Sequence, residues 1–246
     1  MKQVLTIAGF DPSGGAGIQR DLETFRAHGV EGVSVITVVT SQVPSKFNHL
    51  YILPKKIISN QLSLLLETYP MRVVKTGLLY KKMVVDLVSK KMAEYSDVKL
   101  VIDPMMVSST GRLLLEPKAH SPLKKMMAQA FLVTPNLHEA SVLAGFAVTQ
   151  IAHMKKAAQA IFRFGSKYVL VKGGHLEGEP VDILYDGKDC FEFPHQRILG
   201  KGFHGLGCRF SAALTALIAK DIPLPEAIPQ VQDFMEKEIM KLVTTD

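Results

Sequence analysis

Val4-Leu5-Thr6-Ile7-Ala8, then Gly9-Phe10-Asp11-Pro12-Ser13-Gly14-Gly15-Ala16-Gly17, then Ala16–His28 and the β-branched run Val33–Val39 are the stretches that decide how this chain folds. The first five residues read as a strand. The glycine-rich segment opens a helix whose Ile18, Leu22 and Phe25 fall on one face. Val33–Val39 fits a strand buried on both faces. The same alternation runs on to the end of the chain. Lys56–Tyr69 carries Ile58, Leu62, Leu65 and Tyr69 at helical spacing, and Lys82–Glu94 and His153–Phe164 are also helical. Val73–Lys75, Leu100–Ile102, Leu132–Thr134 and Tyr168–Lys172 read as strands. Val181–Tyr185 and Phe191–Phe193 form an antiparallel pair around Asp186-Gly187. Helices Gly207–Ala219 and Glu226–Val243 close the chain. Strands alternating with helices predict an α/β fold: a mostly parallel central sheet with helices on both faces. No linker, repeat or low-complexity tract divides residues 1–246, so a single domain is expected. Ligands of such sheets gather beyond the carboxyl ends of the strands, and the residues there are the ones to read for chemistry.

Composition narrows the function classes. The 246 residues are 47% hydrophobic, with a formal net charge of +6. The positive charge comes from scattered pairs such as Lys55-Lys56, Lys81-Lys82, Lys90-Lys91 and Lys124-Lys125, with no interleaved aromatic residues to stack bases. These are solvated helix faces, not a nucleic-acid site, although a mildly positive field helps to draw in anionic nucleotides. Two cysteines and no recognisable signal peptide argue against a disulfide framework and for a reducing, cytoplasmic setting. No apolar run reaches the ~20 residues that span a bilayer, so no membrane partner is expected.

The strand ends carry a coherent set of groups. Gly205-Leu206-Gly207-Cys208 precedes the small-residue helix at Ser211-Ala212-Ala213-Leu214. Two glycines allow backbone N–H groups to converge, and the helix adds the positive end of its dipole, a combination suited to a transferring phosphoryl group. At that position the same field is expected to lower the thiol pKa of Cys208 and favour a thiolate. An inert buried cysteine at a helix start is the competing reading. The opening loop Gly9–Gly17 matches neither the dinucleotide fingerprint nor the P-loop. Taken singly, Asp21 reads as a helix-surface carboxylate and Gln42, after Thr40-Ser41, as a loop amide. Asp103-Pro104 ends a buried strand, where a carboxylate needs a partner such as a metal-bound water or a hydrogen bond. Asn136 and Glu139 share a face and could reach a hydrated Mg²⁺, or could simply cap their helix. Lys172, before Gly173-Gly174-His175, offers an ammonium to a phosphate oxygen.

Taken together, the motifs resemble the hydroxymethylpyrimidine/phosphomethylpyrimidine kinases of thiamine biosynthesis, within the ribokinase-like superfamily. The resemblance runs from about Val4 to about Glu226. It rests on Leu5-Thr6-Ile7-Ala8-Gly9 with Asp11–Gln19 and Asp21-Leu22, on Ser34-Val35-Ile36-Thr37 through Gln42, and on Val74-Lys75-Thr76-Gly77. Asp103-Pro104 with Met106-Val107, Thr134-Pro135-Asn136-Leu137 with Glu139-Ala140, and Val169–His175 complete it.

The resemblance implies a ribokinase-like three-layer sandwich, ATP and Mg²⁺ as cofactors, and a homodimer. By the same resemblance Gly9, Asp21, Gln42 and Val107 face the pyrimidine. Asp103, Asn136 and Glu139 position Mg²⁺ and phosphates, directly or through water, and Lys172 contacts the nucleotide phosphates. Cys208 stands where sugar-kinase relatives carry an aspartate base, with the N–H groups of Gly205 to Cys208 around the transferred group. The implied activity is phosphorylation of 4-amino-5-hydroxymethyl-2-methylpyrimidine and of its monophosphate. Two alternatives stand beside it: a pyridoxal/pyridoxine kinase, and a catalytically silent pyrimidine-binding protein. The chain departs from the family pattern at Gly202-Phe203-His204-Gly205-Leu206-Gly207-Cys208, where Asn-Thr-His and Gly-Thr-Gly-Cys are usual. It also departs at Leu199 and Gly200, and at Leu78 in place of a common methionine. The glycine-rich tail usual after the last helix is not found before Asp246, so altered nucleotide-side contacts are expected.

Overall fold

Alternating burial along each strand builds a sheet sealed on both faces. Within β1 (Gln3–Phe10), Leu5 and Ile7 face one apolar layer while Val4 faces the other. The same switch separates Val74 from Val73 in β4 (Val73–Thr76), Leu100 from Val101 in β5 (Lys99–Ile102), and Val133 from Leu132 in β6 (Ala130–Val133). It recurs between Val169 and Leu170 in β7 (Tyr168–Val171). A period of two puts neighbouring side chains on opposite faces, and burying each Leu or Ile contributes about 1.5–3 kcal/mol. The computed structural model describes residues 2–43, 46–108, 111–197 and 205–243.

The remaining strands are β2 (Glu31–Val43), β3 (Lys46–Ile52), β8 (Val181–Tyr185) and β9 (Cys190–Pro194), and the sheet order is β3-β2-β1-β4-β5-β6-β7-β8-β9. From β2 to β7 neighbouring strands are parallel. β3, β8 and β9 each run antiparallel to the preceding strand. Strand order reverses between β1 and β4, which makes a switch point where loops diverge and leave a crevice.

Helices α1 (Gly17–Ala27), α7 (Leu206–Ala219) and α8 (Leu224–Val243) pack on one face, around Phe25, Phe210, Leu214 and Ile228. The other face is covered by α2 (Lys55–Thr68), α3 (Lys82–Met92), α4 (Pro117–Met126), α5 (Leu137–Ala144) and α6 (Ile151–Phe162). The expected mostly parallel sheet between two helical layers is therefore observed. Among the described residues no helix is long and apolar enough to cross a membrane.

Two features differ from the expectation. The strand at Val33–Val39 continues to Val43 and pairs with β3, so Gln42 sits in a hairpin strand and Val39 is partly exposed. β3 and α4 were not legible. β3 is an edge strand with little burial, so it lacks strong alternation. The α4 sequence opens on Pro117 and contains Pro122, which reads as a break although proline is compatible with a first helical turn.

Candidate active site

A cavity of about 1,380 Å³ lies along the carboxyl ends of the strands. Its walls include Gly9, Gln42, Val107, Asp103, Asn136, Glu139, Lys172, Gly205, Gly207 and Cys208, which are widely separated in the chain.

The start of α7 forms one wall. Gly205 precedes it with φ +75°, and a Cβ there would stand 2.0 Å from the Gly15 carbonyl oxygen. Only glycine accepts both the left-handed backbone and this close approach to the opening loop. No side chain caps α7, and its first-turn N–H groups have no intrahelical acceptor. They form the kind of donor set that a phosphoryl group requires. Lys172 Nζ lies beside it, 3.4 Å from Asp103 Oδ1. Burial works against the ammonium, but Asp103 and Glu139 outweigh it and raise the pKa of Lys172.

Cys208 is buried in the first turn of α7 and lines the cavity. The expected lowering of its thiol pKa is corrected. Burial pushes it up to about 11, against the favourable charge of Lys75 and an N–H···S contact from Gly17. Desolvation of a thiolate in this enclosed position outweighs the field of the helix terminus. The group is a thiol at neutral pH, poised beside cations that favour its deprotonated form.

Asp103, 2% exposed, accepts a hydrogen bond from Ser211 Oγ at 2.8 Å through Oδ2. Glu139 completes a capping box with Asn136: Asn136 Oδ1 accepts from the Glu139 N–H, and Glu139 Oε2 from the Asn136 N–H, each at 2.9 Å. Its Oε1 accepts from the Met106 N–H at 3.1 Å, tying α5 to the turn after β5. That turn holds Met105 at φ +46°, a left-handed conformation that needs such support. Burial raises the Glu139 carboxyl above the usual carboxylate range. The capping reading of Asn136 and Glu139 is realised, and both residues also line the cavity. Among the described residues no group of three or more His, Cys, Asp or Glu forms a metal cage. Asp103 and Glu139 already accept protein hydrogen bonds, so this donor set suits contact with the waters of a hydrated Mg²⁺ accompanying phosphates.

Another stretch of the cavity wall is apolar. A Cβ on Gly9 would stand 2.8 Å from Val38 Cγ2, so glycine is what leaves the backbone open there. Val38, Leu78 and Leu114 cluster beneath it, with Met105 packed against them. Gln42 from β2 and Val107 after β5 face the same space. Asp11 organises the opening loop, accepting from Ser13 N at 2.9 Å, Ser13 Oγ at 2.8 Å and Ala16 N at 2.9 Å. Burial works against its charge, but these bonds and one from Gln42 hold its carboxyl below the usual range.

Asp21 does not take the place expected of it. It is fully buried and not part of the cavity wall. Its Oδ2 accepts from Lys75 Nζ at 2.8 Å and from Thr6 Oγ1 within hydrogen-bond reach at 2.5 Å. Asp21 stands in a buried ion pair instead of on the cavity wall, because a carboxylate this enclosed requires a countercharge. Burial works against the Lys75 ammonium too, yet the charges of Asp21, Cys208 and Asp103 raise its pKa. Lys75 and Ser211 are the buried partners of Asp21 and Asp103, pairings that sequence reasoning missed. Lys75 in the middle of an apolar strand was the available signal, since a buried lysine must be paired. The departures at Leu199, Gly200, Gly202, Phe203 and His204 lie outside the described residues.

The family model described as phosphomethylpyrimidine kinase matches residues 11–245. A hydroxymethylpyrimidine/phosphomethylpyrimidine kinase of Aquifex aeolicus is 37% identical over 237 residues, covering 96% of this chain and 93% of that protein. A thiamine biosynthesis bifunctional protein of Geobacter sulfurreducens is 39% identical over 238 residues, or 96% of this chain; the chain spans about half of that longer relative, 49%. Among solved structures, a phosphomethylpyrimidine kinase from Clostridium difficile 630 superimposes with a TM-score of 0.87 at 36% identity, covering 97% of this chain and 100% of the other. An ADP complex of Bacillus subtilis pyridoxal kinase gives 0.88 at 36% identity, covering 95% and 90%.

Proposed function

Because the chain belongs to the phosphomethylpyrimidine kinase family, we propose that it transfers the γ-phosphoryl group of ATP to the hydroxymethyl group of 4-amino-5-hydroxymethyl-2-methylpyrimidine, and then to the resulting monophosphate, in thiamine biosynthesis. The observation that carries this reading is the convergence of the uncapped start of α7, Lys172 and Cys208 on one cavity that Gly9, Leu78, Val107 and Leu114 also line. The pyrimidine ring rests against Gly9 and Val107, and Gln42, beyond its bond to Asp11, offers its remaining amide donor and its acceptor to the heteroatoms of the ring. In-line attack by the substrate oxygen forms the new O–P bond as the bond to the leaving ADP breaks. The N–H groups of Leu206, Gly207 and Cys208 stabilise the equatorial oxygens. Lys172 neutralises the departing diphosphate, and the Cys208 sulfur, as thiolate, takes the proton of the hydroxyl. Asp103 and Glu139, with Asn136 beside them, would hold hydrated Mg²⁺, which supplies charge neutralisation along the phosphates when bound.

A reducing cytoplasm is the proposed setting, in keeping with the free thiols Cys190 and Cys208, and a homodimer is the proposed assembly. The pyridoxal kinase neighbour makes vitamin B6 the competing substrate class. Side-by-side kcat/KM with hydroxymethylpyrimidine and with pyridoxal tests the assignment. The pyrimidine is expected to be the better substrate, and a ratio favouring pyridoxal overturns the assignment.

A further inference from the structure

Ser211 lies on α7, one turn after Gly207, and is fully buried. It is not on the cavity wall, and the transfer chemistry above gives it no part. Its Oγ is 2.8 Å from Asp103 Oδ2, 3.0 Å from the Gly207 carbonyl oxygen and 3.2 Å from that of Cys208. A hydroxyl has one proton to give. A carboxylate oxygen accepts more strongly than a peptide carbonyl and is here also the closest, so the proton goes to Asp103. The second oxygen of that carboxylate, Oδ1, is 3.4 Å from Lys172 Nζ. The ammonium in turn reaches the first turn of α7, 3.8 Å from where a Cβ on Gly207 would stand. Ser211, Asp103 and Lys172 therefore form one chain of contacts. It leaves α7, passes the end of β5 and returns to the start of α7 from the end of β7.

We propose that Ser211 is a positioning residue for the transfer: its hydroxyl holds the Asp103 carboxylate by Oδ2 and so keeps Lys172 at the first turn of α7, available to the phosphates. This rests on the kinase reading above, in which Lys172 meets the phosphate chain. Asp103 is 2% exposed, so an oxygen that loses the Ser211 proton has little water to replace it. Among the described residues the only other donor to its side chain is Lys172. Their separation of 3.4 Å is longer than the about 2.7–2.9 Å of a good charge-assisted bond. Without the serine hydroxyl, the carboxylate turns and closes on the ammonium, drawing it off α7. With the hydroxyl in place, one carboxylate oxygen is occupied inside the protein and the lysine stays loosely held, free to turn to a phosphate oxygen.

Calorimetric titration with ADP and Mg²⁺ tests this in the full chain, in Ser211→Ala, in Lys172→Met and in the two combined. Alanine is smaller than serine and a better helix former, so α7 is kept. Ser211→Ala is expected to bind ADP roughly tenfold more weakly, a coupling typical of residues in one hydrogen-bonded network, and to bind hydroxymethylpyrimidine as before. Lys172→Met is expected to weaken ADP binding by at least as much. Because the serine acts through the lysine, the double variant is expected to match Lys172→Met alone. Three results overturn the role of Ser211 while leaving the kinase reading intact: unchanged ADP affinity in Ser211→Ala, equal weakening of ADP and pyrimidine binding, or a double variant whose loss is the product of the two single losses. Undiminished ADP affinity in Lys172→Met overturns the phosphate contact assigned to Lys172 in that reading, and the proposal with it.

Discussion

Cys208 shows how two opposed influences act on one atom. The start of α7 and the Lys75 ammonium favour a thiolate, while enclosure on the cavity wall opposes it and prevails, leaving a thiol of pKa about 11. In the proposed base role, turnover depends on the small thiolate fraction, which grows about tenfold per pH unit below the pKa. If chemistry limits turnover, kcat is expected to climb steeply between about pH 7 and pH 9. Cys208→Ala is expected to lower kcat by roughly 10²–10⁴-fold, flatten that climb and leave thermal unfolding unchanged. Steady-state assays across pH read this directly, and a variant with near-normal kcat removes Cys208 from the proton-accepting role. Asp21 teaches the complementary lesson. Its place after the opening loop was legible, but its pairing with Lys75 depends on β1, β4 and α1 meeting in space. No spacing along the chain encodes that meeting.

At the scale of elements, α5 carries two duties at one terminus. The Asn136–Glu139 capping box satisfies backbone donors of α5, and the same residues face the cavity. Asn136→Ala is expected to cost about 1 kcal/mol of stability through the lost cap. It should also raise KM for ATP without a matching change in KM for the pyrimidine. Chemical denaturation together with substrate-resolved kinetics separates the two effects, and a stability loss with both KM values unchanged reduces Asn136 to a cap. The box was readable because its spacing is local. β3 was not, since it is an exposed edge strand that owes its conformation to pairing with β2. α4 escaped notice because Pro122 removes one helical donor that packing of Ala119, Leu123 and Met126 offsets.

At the scale of the molecule, the nine-stranded sheet brings the carboxyl ends of distant strands to one edge, and its reversal between β1 and β4 opens the crevice there. On the proposed reading, a nucleotide held between Lys172 and the start of α7 links elements from distant parts of the chain. ADP with Mg²⁺ at about 100 times Kd is expected to add about 2.7 kcal/mol, raising Tm by roughly 5–10 °C for a chain of this size. Thermal shift measurements check this. A rise with hydroxymethylpyrimidine but none with ADP would instead identify a binding protein without kinase activity.

Strand and helix periods, the glycine-rich turns and the kinds of group at the strand ends are properties of short stretches, and they were enough to read the α/β architecture and, with the family resemblance, part of the cavity wall. Burial is different in kind. The thiol state of Cys208, the withdrawal of Asp21 into a pair with Lys75, and the joining of Ser211 to Asp103 all follow from how much water the assembled layers exclude and which charges they leave within a few ångströms. Those quantities exist only once the sheet and both helical layers have come together.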